Sequence, residues 1–205
     1  MTDGTKTAVD MRPFDDADNP PCLFQRALGA HFGDLPRAVR DLHTVTDRST
    51  WQGRARVTRG RSAIGNLICR LVGFPPEADD IPVSVTIERR GDTEFWCRDF
   101  GGKSFTSVLY LRDNTERGHI TERFGVMAFD IDLHLVDDRL EFPVTHGRIL
   151  GVPLPKAVLP VSEAGEFETD DRFHFDVRVS LPGIGDLVRY QGRLSQVDSA
   201  DGTRA

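Results

Sequence analysis

Residues 147–194 restrict the possible fold of this chain more than any other part of it. They read G-R-I-L-G-V-P-L-P-K-A-V-L-P and lead into R-F-H-F-D-V-R-V-S and D-L-V-R-Y-Q-G-R-L. In those last two segments apolar and polar residues alternate one by one. That period suits a strand with one buried face and does not suit a helix. The surrounding Gly and Pro residues mark where each strand starts and stops.

The same alternation recurs upstream. Ile81, Val83, Val85 and Ile87 share a face. Trp96, Arg98 and Phe100 oppose Phe95, Cys97 and Asp99, and Phe105, Ser107, Leu109 and Leu111 follow. Residues 119–124 form a short strand. Over 126–136, Met127, Phe129, Ile131, Leu133 and Leu135 face one way, and Ala128, Asp130, Asp132 and His134 the other. Gly91-Asp92, Gly101-Gly102, Asp113-Asn114 and Asp137-Asp138 provide short turns, the last leading into Leu140, Phe142 and Val144. Strand after strand with tight turns predicts an antiparallel meander, hence a twisted sheet or barrel. There is no βαβ alternation and no G-X-G-X-X-G, which disfavours a dinucleotide-binding fold.

The helical signals lie towards the N-terminus. Phe24, Leu28, His31, Phe32, Leu35, Val39 and Leu42 recur at three- and four-residue spacing, interrupted by Gly33-Asp34-Leu35-Pro36. This predicts two helices meeting at a corner, with Asp34 as a cap and Pro36 in the first turn. Residues 51–58 alternate weakly, as a strand would. Ser62 then caps a short helix striped by Ile64, Leu67, Ile68, Leu71 and Val72, which Gly73 and Pro75-Pro76 end. A stripe at this spacing belongs to the core or closes over a ligand cavity. Residues 1–21 and 198–205 are poor in apolar side chains and read as disordered tails around one globular domain over 22–197.

Composition removes some function classes. The formal net charge is −6, against the basic footprint that nonspecific nucleic-acid binding needs. Arg54 to Arg61 hold a cluster of arginines, read as a solvated strand face or a local basic strip. Cys22, Cys69 and Cys97 are odd in number and lack metal-ligand spacing, which fits a reducing, cytoplasmic compartment. Cys69 and Cys97 lie among apolar neighbours and read as small core residues. The N-terminus is polar and acidic, unlike a signal peptide. No apolar run approaches the roughly 20 residues that span a bilayer.

Several segments together resemble a known family. They are W-C-R-D-F-G-G-K-S-F-T-S (96–107), E-R-F-G (122–125), G-V-P-L-P-K-A-V-L-P (151–160), F-H-F-D-V (173–177) and P-G-I-G-D-L-V-R-Y-Q-G-R-L (182–194). The combination resembles the bacterial domain of unknown function 4166 over about residues 23–194. Members of that family occur alone or attached to oxidoreductase-like domains. The resemblance therefore implies a small-molecule context and an oxidoreductase as partner, but no reaction and no catalytic residues.

The residues themselves offer several constellations. Asp130, Asp132 and His134 project in parallel from one strand, as a wet outer face or as metal ligands. Glu122, just before a bend, is either a strand-end charge or an inward carboxylate fit for acid/base work, with Arg123 on the opposite face. Trp96 and Arg98 point the same way, either as a stacking platform for a planar ligand or as an Arg stem packed over an outer Trp. His146 follows the alternation of Leu140, Phe142 and Val144, which places it on the apolar face as a core or cavity residue. Tyr190 shares the face of Val188 and Leu194, where its hydroxyl anchors it or lines a pocket. His174 and Asp176 make no triad, since no serine elbow is present. The proline-rich 151–160 segment is rigid yet apolar, and so either plugs one end of a barrel or forms a lid.

The combined expectation is an α+β fold: N-terminal helices packed on a strongly curved antiparallel β-sheet or β-barrel of about eight to ten strands. A helix-grip fold is the main rival; such folds end in a long helix, whereas this chain ends in two strands. The expected function is binding of a small hydrophobic molecule between sheet and helices. Glu122, His146 and Tyr190 are the candidates for cofactor-free acid/base chemistry of isomerase or cyclase type, with Trp96, Arg98 and Arg123 as ligand-binding residues. No cofactor and no metal are expected. The alternative is a non-catalytic module that docks on an oxidoreductase.

Overall fold

A computed structural model describes residues 20–112 and 118–197. The tails expected over 1–19 and 198–205, and the Asp113-Asn114 turn, lie outside the described residues. The described chain is mostly antiparallel sheet with few helices.

Its element order is α1 (Leu23–Leu28), a 3-10 turn (Gly29–Asp34), α2 (Arg37–His43), β1 (Arg48–Arg59), α3 (Ala63–Val72), β2 (Ala78–Arg90), β3 (Thr93–Phe100), β4 (Lys103–Tyr110), β5 (His119–Phe124), β6 (Met127–Asp132), β7 (His134–Val136), β8 (Arg139–Glu141), β9 (Val144–Ile149), β10 (Val152–Pro153), a 3-10 turn (Lys156–Val158), β11 (Val161–Thr169), β12 (Arg172–Leu181) and β13 (Gly185–Gln196). Thirteen strands form one sheet in the order β10-β9-β6-β5-β4-β3-β2-β1-β13-β12-β11-β8-β7.

The sheet is not closed into a barrel, which corrects that alternative. It is nevertheless forced to curl. β6 and β7 are third and thirteenth in the order, yet only Leu133 separates them in the chain. β8 and β9 are likewise joined through Phe142 and Pro143 alone. One bent hairpin over residues 127–149 thus belongs to both edges. The strand expected over 126–136 is therefore two strands, and the count exceeds the eight to ten expected. The alternation itself is as read: Ile131, Leu133 and Leu140 are buried and His134 is exposed. Asp137 and Asp138 turn the hairpin with φ 48 and 60, a left-handed pair that Asp tolerates.

The corner before α2 differs in detail from expectation. Pro36 itself is the N-cap, and Asp34 pairs with exposed His31 at 3.0 Å. α3 follows its signals. Ser62 Oγ accepts from the Gly65 amide at 3.2 Å, and Gly73 ends the helix with φ 87. Its stripe is split, however. Ile68 packs against the core, whereas Ile64, Leu67 and Leu71 face outward. Cys69 is buried as expected; Cys97, opposite Trp96 in parity, is only half-buried.

The strand ladders define two ends for the inner face. At one end, α1 and α2 approach the sheet: Phe24 of α1 stacks on His43 of α2 at 3.6 Å, the Ala38 amide donates to Glu168 of β11, and the Gly118 amide donates to the Ala27 carbonyl. The other end holds α3, the turns at 101–102, 125–126 and 182–184, and residues 150–160. The registers place these together. Arg59 pairs with Val188, Ile184 lies beside Gly65 of α3, and Val161 pairs with Ser180. The Leu150 amide donates to the Val126 carbonyl.

Candidate functional site

The inner face of the sheet surrounds a cavity of about 420 Å³. Its walls are mainly aliphatic and aromatic, from β2–β6, β9, β11–β13 and α3. Such walls follow from strands that alternate, because every second residue of each one enters the same space. Gly147 shapes one part of it. A Cβ there would sit 2.8 Å from Leu159 Cδ1 and 3.2 Å from Leu154 Cδ1. Glycine lets the proline-rich segment fold in across β9. That segment lines the cavity through Leu154, Val158 and Pro160 while keeping Leu150 and Val152 exposed. It forms part of the rim, combining features of the plug and the lid. Val158 and Ile149 line the cavity and are themselves 51% and 39% exposed, so the cavity reaches the surface at this end.

A few polar groups interrupt the apolar wall. Arg98 donates through Nη1 to Ser107 Oγ at 2.8 Å and through Nη2 to Glu122 Oε1 at 3.2 Å. Ser107 Oγ donates to the same carboxylate oxygen at 2.7 Å. The guanidinium lies 4.8 Å from the Trp96 ring centroid, a cation–π distance. Arg98 and Glu122 side chains are only 17% and 14% exposed, and both line the cavity. Tyr190 lines it too, with its ring edge-on to Phe100 at 5.4 Å. Burial pushes its phenol up to about 12, with Arg98 opposing and Glu122 and Glu166 reinforcing. Its hydroxyl is therefore a neutral donor at physiological pH.

At the α2 end, His43 Nε2 meets Glu166 Oε2 at 2.6 Å, and both residues line the cavity. Behind them, Trp96 Nε1 donates to Glu94 Oε2 at 3.0 Å. Glu94 is fully buried, and its Oε1 has no hydrogen-bond partner. Burial raises its pKa, against the Trp96 hydrogen bond, the charge of His43, the nearby Leu23 amide and the charge of Arg89. An acid whose folded pKa is raised holds its proton more tightly when folded. Stability from this group is therefore present below its ordinary value of 4.5 and declines as pH rises from there through the raised pKa. A Glu94→Gln variant should keep the Trp96 contact and lose this decline. Urea midpoints measured between acid and neutral pH should fall in wild type and stay flatter in the variant.

Four of the six residues singled out from sequence thus meet in one cavity: Trp96, Arg98, Glu122 and Tyr190. Arg123 is exposed on the outer face, in keeping with its parity. His146 is also exposed, which corrects its expected place on the apolar face. The ladder slips between Asp130 and Ile131, so that Asp130 pairs with His146 but Ile131 with Val144. This bulge adds a residue to β9 and reverses the parity after Val144. Asp130 is held by Arg148 at 2.7 Å and Arg112 at 3.2 Å, and Asp132 by His119 at 2.6 Å. Burial opposes ionisation of Asp130, but its bonds to Arg148 and Thr121 prevail and lower its pKa. Among the described residues no three such side chains converge as a metal site would require. His43, Glu94, Ser107 and Glu166 were not singled out. Glu94 could have been, since it shares the parity of Trp96. His43 follows Val39 by one helical turn.

Fold and site together define a class: an open, curled antiparallel sheet around an apolar cavity with a small set of inward polar groups. The chain belongs to the family described as Domain of unknown function (DUF4166), which matches residues 35–194. No curated protein matches the chain. Among the described residues, no helix is long and apolar enough to cross a membrane.

Proposed function

We propose that this protein binds a mainly apolar small molecule inside the curled sheet, with one hydrogen-bonding group of the ligand held near Arg98, Glu122 and Tyr190. The observation that carries the reading is the cavity itself. Its volume of about 420 Å³ lies in the range of roughly 300–1,000 Å³ usual for small-molecule sites, and Arg98 and Glu122 are already oriented by each other and by Ser107. Arg98 and Glu122 neutralise each other, which favours an uncharged or weakly polar group such as a hydroxyl or carbonyl. On a reactive ligand, the cavity groups able to move protons are Glu122, Tyr190 and the His43–Glu166 pair. His146 does not share that space.

The alternative, a module docking on an oxidoreductase, is favoured by the exposed aliphatic side chains around the rim. A docking module has no need of a cavity, and so ligand binding is the primary reading.

Val177 lines the cavity, and a Val177→Phe variant would fill part of it at a stability cost of about 1–3 kcal/mol. Binding can be followed with cis-parinaric acid, whose emission is excited by energy transfer from tryptophan. Wild type should bind it saturably and the variant at least tenfold more weakly. Equal binding by the two would remove the cavity as the site. Native mass spectrometry of freshly purified protein should show a co-purifying molecule in wild type and less of it in the variant.

A further inference from the structure

We infer that the rim of the cavity docks on the surface of an anionic lipid bilayer, and that the apolar ligand passes between bilayer and cavity there. Docking stands on the surface features alone; the passage of ligand rests on the binding function proposed above.

Three observations carry this. First, exposed large aliphatic side chains are concentrated at one end of the molecule. On α3, Ile64, Leu67 and Leu71 are 61%, 58% and 80% exposed, and across the rim Leu150 and Val152 are 76% and 67% exposed. A helix of ten residues that turns three large aliphatics outward would ordinarily bury them against the sheet. Here Ile68 and Val72 of the same helix already line the cavity, so the outward face is surplus to the core.

Second, this end is where the cavity opens. Ile184 touches Gly65 of α3, and Ser180 pairs with Val161 at the end of the proline-rich segment. The two apolar segments therefore flank a single turn at the mouth. A water-insoluble ligand leaving the cavity meets aliphatic surface from the inside outward.

Third, the charge of these segments is one-sided. Residues 61–72 carry Arg61 and Arg70, residues 149–161 carry Lys156, and neither segment contains a carboxylate. This is in a chain of net charge −6. The nearest carboxylates, Glu163 and Asp186, are both paired with Arg178, and aliphatic side chains interspersed with cations match an interfacial site on anionic lipid. A second copy would bring the same cations face to face, and so fits less well.

The full-length protein would be sedimented with vesicles of phosphatidylcholine alone and of phosphatidylcholine with phosphatidylglycerol. Wild type should sediment with the mixed vesicles, less with the neutral ones, and less again at high salt. Leu67→Asp/Leu71→Asp, at exposed positions, should weaken binding to both by more than tenfold. Arg70→Glu should weaken binding to anionic vesicles by at least fivefold, since each basic group near such a surface contributes about that factor. Val177→Phe should sediment like wild type even where it no longer binds cis-parinaric acid, which separates docking from cavity binding. The inference is overturned if wild type ignores both vesicles, or if the double aspartate variant binds as wild type does. It is also overturned if that variant instead dissociates a dimer of a protein that ignores lipid.

Discussion

Glu122→Ala is expected to lower stability by about 3 kcal/mol, because it leaves the Arg98 guanidinium buried without its counter-charge. The cation cannot swing into bulk water, since Trp96 and Phe105 lie against it at 4.8 and 5.7 Å and Ser107 holds Nη1. Replacing both partners, as in Arg98→Met/Glu122→Leu, should recover most of that loss, since apolar side chains of similar volume suit this wall. Urea unfolding at unchanged slope would measure both effects. The double variant also tests ligand recognition. It should retain an aliphatic hydrocarbon as well as wild type does, and lose preference for its alcohol. A single variant as stable as wild type would mean that the pair is freely hydrated, and the polar anchor would then have no special place in the cavity.

A larger loss is expected at Gly192. β1 and β13 pair at the middle of the sheet, with Ala55 opposite Gly192. A Cβ on residue 192 would lie 2.9 Å from both Ala55 Cα and the Phe175 ring, and would also collide with the Arg54 carbonyl. Two of these obstacles are backbone, which cannot rotate aside. Gly192→Ala should therefore cost about 3 kcal/mol or more, the upper part of the overpacking range, and Gly192→Val should prevent folding. Gly33→Ala is the matched control. Its Cβ meets nothing within 4 Å, and the change should be neutral or slightly stabilising. Thermal unfolding of the two alanine variants side by side gives the comparison.

Parity made much of the cavity wall legible in the sequence. Trp96, Arg98 and Phe100 enter together because β3 is regular from Thr93 to Phe100. Glu122 and Tyr190 could be read for the same reason. His146 could not, because a bulge is a local slip of pairing set by the neighbouring strand and leaves no mark in the alternation of its own. The split of α3 was hidden differently. Periodicity shows that Ile64, Leu67, Ile68, Leu71 and Val72 form a stripe, but only the partner surface decides how much of it is covered. The His43–Glu166 contact joins residues 123 apart in sequence, a pairing that no local pattern encodes. Strand count failed where a single residue, Leu133, carries the chain from the third strand of the sheet to the thirteenth.

That passage at Leu133 has a bearing on how the wall is sized. In a sealed barrel, strand number and shear set the bore, and neither can change without breaking the ladder. Here the two ends of the strand order are bridged by peptide chain, from β6 to β7 and from β8 to β9. The girth of the vessel therefore depends on how many residues the bridging ribbon spends in crossing. Lengthening both strands of the ribbon, beside Leu133 and beside Pro143, should widen the chamber at the cost of the bonds from the Asp132 amide to Pro143 and from the Phe142 amide to Ala164.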